Sequence, residues 1–204
     1  MNEPQKTIST VDDACTVIKS WFGWKNDLAG VEIMRPFVVP QAIQTVNRCL
    51  GWLWLEYAQA CGGINIFGSQ DELISPHRYE VQPGGVVTVI WENQGVWGCG
   101  FKPETGTQLW VTGDWTDDPC DTREWRPTQD VIDTAIIFTM LGNAIWASAD
   151  CQYDDLDEKP GEADQLLWMF APWADFAGFW TNRDQSLIRM QGSGWGVTAR
   201  RSPS

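Results

Sequence analysis

The sequence predicts an α+β chain. Three observations carry the prediction: helical periodicity in the first third, β-branched and aromatic runs around tight turns in the middle, and short β-like segments near the carboxy terminus. With 204 residues, 43% of them hydrophobic, the chain is long enough to bury a core as one domain without the help of a disulfide or metal.

Thr10 is a helix N-cap followed by Asp12 and Asp13 in the first turn, and Val11, Cys15, Ile18 and Phe22 recur at helical spacing up to the stop at Gly23. Lys25 to Arg35 reads as connection, bent at Gly30. Pro36 to Pro40 is extended, and Pro40 then opens a second helix expected from Gln41 to Ala60, buried along Ile43, Val46, Leu50, Leu53 and Tyr57. Trp52 and Trp54 flank that stripe, so at least one of them is expected against the sheet rim or the first helix. Ile64 to Gly85 is irregular and has room for a short strand or helical turn.

Val86 to Trp91 and Val96 to Phe101 flank Glu92-Asn93-Gln94-Gly95, the pattern of a hairpin near the middle of a sheet. Val87, Val89 and Trp91 share one face, and Trp91 and Trp97 read as core packing. Thr107 to Thr112 adds a third strand in meander. The Asp-rich loop Asp114 to Glu124 leaves the sheet, and Thr128 is expected to cap a third helix, Gln129 to Ala147, apolar over more than one face and therefore well covered. Asp150 to Asp164 reads as an acidic linker. Beyond it, Leu166 to Phe170, Gly178 to Thr181, Ser186 to Met190 and Trp195 to Ala199 look like short strands.

Composition narrows the function. A net charge of −13 opposes binding to phosphate backbones and favours a basic partner, although acidity also serves solubility alone. The 14 tryptophans exceed what a core of this size needs and suggest a binding surface. The six cysteines are dispersed without a CxxC pair, and the amino terminus has no apolar leader pattern, which reads as a reducing, cytoplasmic compartment.

Catalytic signatures are absent from the sequence. His77 is the one histidine, which excludes a multi-histidine metal site, and there is no GxSxG elbow, Walker loop or dinucleotide fingerprint. Asp155, Asp157 and Glu158 resemble a calcium loop, but Lys159 stands where an oxygen ligand belongs. Asp114-Trp115-Thr116-Asp117-Asp118 sets carboxylates beside an aromatic anchor, as an interface for Lys and Arg would; an ordinary acidic turn has the same composition.

Cys61-Gly62-Gly63 closing a helix, Gln70-Asp71-Glu72-Leu73, the hairpin Trp91-Glu92-Asn93-Gln94-Gly95-Val96, then Gly98 and Asp118-Pro119 together resemble the SUKH superfamily over about Val39 to Ala147. The family's Asp-Pro-Pro-Val element is Asp118-Pro119-Cys120 here. The resemblance implies a central, twisted, mostly antiparallel sheet with flanking helices. It also implies a role as an immunity protein that binds a cognate toxin, often a nuclease, or as a regulatory interaction module. The expected organisation is an amino-terminal helical extension (1–30), a SUKH-like core (31–149), an acidic linker (150–164) and a short β-rich carboxy-terminal extension packed on the core (165–204).

The resulting expectation is a non-catalytic cytoplasmic protein that neutralises a basic toxin by occluding its active site or substrate groove. Glu92, Asn93 and Gln94 at the hairpin tip, with Asp114, Trp115, Asp117 and Asp118, are the expected contact residues. No cofactor, metal, nucleic acid or membrane is expected as a partner. A regulatory or scaffold module without a toxin is the alternative, and a carboxylate-dependent enzyme the third reading.

Overall fold

The computed structural model of the chain describes residues 8–55, 63–113, 124–154, 165–168, 176–192 and 194–201. Helix α1 (Val11–Phe22) begins where the sequence predicts, because Thr10 closes a capping box. The Thr10 hydroxyl accepts the Asp13 N–H at 3.1 Å, and the Asp13 carboxylate accepts the Thr10 N–H at 3.1 Å. Gly23, at φ 66°, supplies the left-handed stop.

Helix α2 (Gln41–Leu50) is shorter than the span expected to reach Ala60. The chain around Leu28 to Gly30 presses on its end: Gly30 N–H donates to Asn47 O at 2.7 Å, and Trp52 N–H donates to Leu28 O at 2.8 Å, diverted from the helical ladder. A Cβ on Gly30 would stand 2.9 Å from Gly51 Cα, so two glycines permit the crossing. Residues 53–55 are helical again; the rest of the expected helix lies outside the described residues. Trp54 does reach the sheet rim, its indole N–H donating to Leu73 O at 2.9 Å.

The first sheet is an antiparallel meander of β1 (Glu72–Leu73), β2 (Val87–Trp91), β3 (Trp97–Phe101), β4 (Gln108–Gly113) and β5 (Arg126–Val131) in sequential order. The expected hairpin is β2–β3, with its strands inside the sheet. A single turn of 3₁₀ helix (Pro76–Arg78) lies between β1 and β2, within the irregular passage. One expectation fails at β5: Thr128 is not a helix cap. Residues 126–131 pair with β4 instead, Trp110 opposite Pro127 and Gln108 opposite Val131, and the Thr128 hydroxyl donates to Leu109 O at 3.2 Å. Pro127 is tolerated because β5 is an edge strand with no outer neighbour among the described residues.

Helix α3 (Ile132–Trp146) follows at once. It touches all five strands of the first sheet, strands of the second, and both α1 and α2. That explains its apolar residues on every face: a helix covered on all sides has no wet side to mark with charge. Ile136, Met140, Leu141 and Ile145 are all buried.

The carboxy-terminal β segments are more than a short extension. Together with β6 (Asp150–Asp154) the strands β7 (Gln165–Trp168), β8 (Phe176–Thr181), β9 (Leu187–Gly192) and β10 (Gly196–Arg200) make a second five-stranded antiparallel sheet, in the order β6-β10-β9-β8-β7. Residues 150–154, expected as the start of the acidic linker, are therefore a strand. They pair with β10 from Asp154 opposite Gly196 to Asp150 opposite Arg200, because the second edge of β10 needs hydrogen-bond partners that acidic composition does not forbid. Residues 155–164 lie outside the described residues. Leu167, Phe179, Ile188, Met190, Val197 and Ala199 join the same hydrophobic core as α1, α2 and the first sheet.

The first and last described residues tie into this body. Ile8 N–H donates to Leu167 O at 2.9 Å, and Arg201 donates to Trp21 O at 3.2 Å and to Ser20 O. Of the tryptophans among the described residues, Trp21 and Trp168 are buried and the rest are half-buried; none is fully exposed.

Candidate functional site

The predicted tip is organised by an irregularity that sequence alternation misses. Between Thr88 and Ile90 the β2–β3 register shifts, so that Thr88 faces Gly100 and Ile90 faces Cys99 while Val89 is left over. A bulge of one residue reverses the facing of everything beyond it. Val89 and Ile90 are both buried as a result, Trp91 is half out, and Glu92 is turned in with only 9% of its surface exposed. Trp91, expected in the core, instead lies across the hairpin. A Cβ on Gly98 would be 2.5 Å from its ring, so glycine makes the seat. Trp97 is half-buried and packs against the core.

Glu92 to Gly95 is a tight turn, with Gly95 at φ 72° and its N–H donating to Glu92 O at 2.9 Å. The Glu92 carboxylate folds back under it and accepts the Gln94 N–H at 2.9 Å and the Val96 N–H at 3.1 Å. The Asn93 N–H lies near Asp71 and favours its charged form. The Gln94, Gly95 and Val96 N–H groups are thus all bonded to Glu92, and the side chains of Asn93, Gln94 and Val96 point to solvent.

Asp71 is itself clamped. Asn143 of α3, 1% exposed, accepts the Gln70 and Asp71 N–H groups on its Oδ1 at 3.0 Å each and donates its Nδ2 to Asp71 O at 2.7 Å. Ser69 adds a bond to Asn143 O at 2.6 Å. Burial, and then the negative charge of Glu92, push the Asp71 carboxyl up to about 6, against the pull of the Asn93 N–H. Beneath it the buried Cys99 thiol is pushed up by its burial and by the Asp71 charge.

Of the expected contact residues, Asn93 and Gln94 face outward as anticipated. Glu92 belongs to the scaffold of the turn, since burial and two backbone bonds occupy its carboxylate. Asp114, Trp115, Asp117 and Asp118 lie outside the described residues. Their point of departure is nevertheless defined: β4 ends at Gly113, which pairs with Trp97 and packs so tightly that a Cβ there would be 2.0 Å from Val96 O. The 92–96 turn and the end of β4 at Gly113 therefore share one end of the first sheet.

Asn143 and Asp71 are the residues that sequence reasoning missed or left without a role. Their signal was available: Asn143 is a lone amide in an apolar helix, and a buried polar group implies partners. A cleft between α1 and the second sheet, lined by Val17, Trp21, Leu167, Thr181 and Arg201 among others, holds about 210 Å³ of empty space, open solvent included. That is below the usual range for a small-molecule site, and it brings none of the expected residues together. No protein-family model, characterised protein or solved structure matches this chain.

Proposed function

We propose that the chain is a non-catalytic protein-binding module that contacts its partner through the turn-bearing end of the first sheet, and that the partner is a basic toxin which it neutralises as an immunity protein does. The observation that carries this reading is the turn. Asn93, Gln94 and Val96 are presented on a backbone already held by Asp71 and Glu92, so binding incurs little ordering cost there. The net charge of −13 adds long-range attraction for a basic surface, such as the phosphate-binding groove of a nuclease, and makes association fall with salt. The resemblance to the SUKH superfamily points the same way.

Immobilised protein is exposed to host lysate at low and high salt, and the retained basic protein is expressed in a sensitive strain beside this chain. Wild type restores growth, and the double variant Asn93→Arg/Gln94→Arg binds at least about tenfold more weakly, as expected for like charges placed at an interface. Its far-UV spectrum and Tm stay unchanged because both side chains face water. Equal protection by the double variant removes the tip from the contact surface. Retained proteins that are all harmless to the strain would leave a regulatory module as the function.

A further inference from the structure

Away from the tip, α1 and α2 bring two thiols together. Cys15 on α1 is 1% exposed, Cys49 on α2 is half-buried, and both are free. The Cys49 thiol lies against α1 at Asp12, one helical turn before Cys15, which brings the two thiols within interaction range. Asp12 sits at the rim, its Oδ1 accepting Arg48 Nη2 at 3.0 Å and the Cys49 thiol at 3.6 Å.

The arrangement divides the labour between the sulfurs. Interaction with Cys15 holds the outer Cys49 thiol below its ordinary value. The same interaction, and then burial, raise Cys15. The pair therefore releases its first proton from the sulfur that solvent reaches and keeps the second on the sulfur that solvent does not.

We propose that Cys15 and Cys49 form a redox dithiol that low-molecular-weight disulfides such as oxidised glutathione convert into an intramolecular disulfide joining α1 to α2. The Cys49 thiolate attacks one sulfur of the oxidant, forming a mixed disulfide and expelling a glutathione thiolate, which takes a proton from water. Cys15 then attacks the Cys49 sulfur. The second glutathione leaves with the Cys15 proton, and the S–S bond closes. One disulfide is reduced to two thiols while one dithiol is oxidised, so electrons and protons balance.

The full-length, reduced protein is incubated with oxidised glutathione, and its mass and peptide map are taken. Wild type loses two hydrogens, carries no glutathione and yields a peptide pair linked through Cys15 and Cys49. Cys15→Ala stops at a glutathione adduct on Cys49, and Cys49→Ala leaves Cys15 reduced. Iodoacetamide at neutral pH modifies Cys49 about tenfold faster than Cys151, whose thiol burial pushes up. Cys15→Ala slows Cys49 alkylation several-fold. A lasting glutathione adduct on wild-type Cys49, a disulfide to any other cysteine, or two thiols left reduced by excess oxidant overturns the proposal. An alkylation rate unaltered by Cys15→Ala, in a variant whose far-UV spectrum is native, overturns the role given to Cys15.

Discussion

At Asn143 a single side chain supplies the hydrogen bonds that the segment 69–71 does not draw from a strand. Replacing it with leucine leaves two N–H groups and a carbonyl without partners inside the protein. Asn143→Leu is expected to lower stability by about 3 kcal/mol in urea unfolding, at the upper end of the range for an unsatisfied buried group. Asp71 makes a prediction of opposite character. Its carboxyl is raised from 3.8 to about 6, so between those values the folded chain holds a proton that the unfolded chain has released. Stability therefore falls as pH rises through that window, by about 3 kcal/mol from this residue. Asp71→Asn removes the titration, and its stability relative to wild type should improve by about that amount between pH 4 and pH 7. A constant difference across that range would mean that Asp71 titrates normally.

Elements here start and stop for local reasons that can be tested one at a time. The capping box of α1 predicts that Thr10→Ala costs about 1 kcal/mol, read as a shift in the urea midpoint with an unchanged slope. At the turn-bearing end of the first sheet, Gly113 combines φ 91° with a Cβ position 2.0 Å from Val96 O. Gly113→Ala must strain its own backbone and displace the turn, and about 2–4 kcal/mol is expected from the two effects together. Because the strain falls on the turn-bearing end, the same variant should weaken the partner binding proposed for the tip, while Thr10→Ala, remote from the tip, should leave it intact. The β2 bulge belongs to this scale too: one surplus residue, Val89, decides that a carboxylate faces in and an indole faces out.

For the whole molecule, α3 is the shared wall of two sheets. Its burial depends on the second sheet as well as the first: Phe138 meets Phe179 edge-on at 6.1 Å between ring centroids, and Gly142 lies beside Met190. Sheet-to-sheet coupling through one helix predicts a single unfolding transition, with near-UV and far-UV signals coinciding. It also predicts that a fragment of residues 1–149, cut where a core and an extension were expected to part, fails to give the dispersed spectrum of a packed protein. On the second sheet, Arg189 is fully buried and donates to Gln191 Oε1 at 2.7 Å and to Thr198 Oγ1 at 2.8 Å. Removing a hydrogen-bonded charge from such a place is costly, so the sheet is specified by polar pairing as well as by apolar packing.

Sequence alone determined the features governed by nearest neighbours. Thr10 with Asp13 marks a helix start, the Glu92–Gly95 tetrad marks a reversal, and the unbroken apolarity of 132–146 marks a covered helix. It also anticipated that Asn93 and Gln94 are exposed, because a turn tip faces water. Tertiary structure decided what distant residues do to one another. Gly30 ends α2 early by lying against Gly51, β4 claims Arg126–Val131 as a strand ahead of helix formation, and β10 claims Asp150–Asp154 from an acidic stretch. It also turned Glu92 from a contact residue into a scaffold and gave Asp71 and Asn143 their places. The physical reason is common to all of these. Backbone groups and buried polar atoms must find hydrogen-bond partners, and which partner is within reach is a property of the fold, not of the local string of residues.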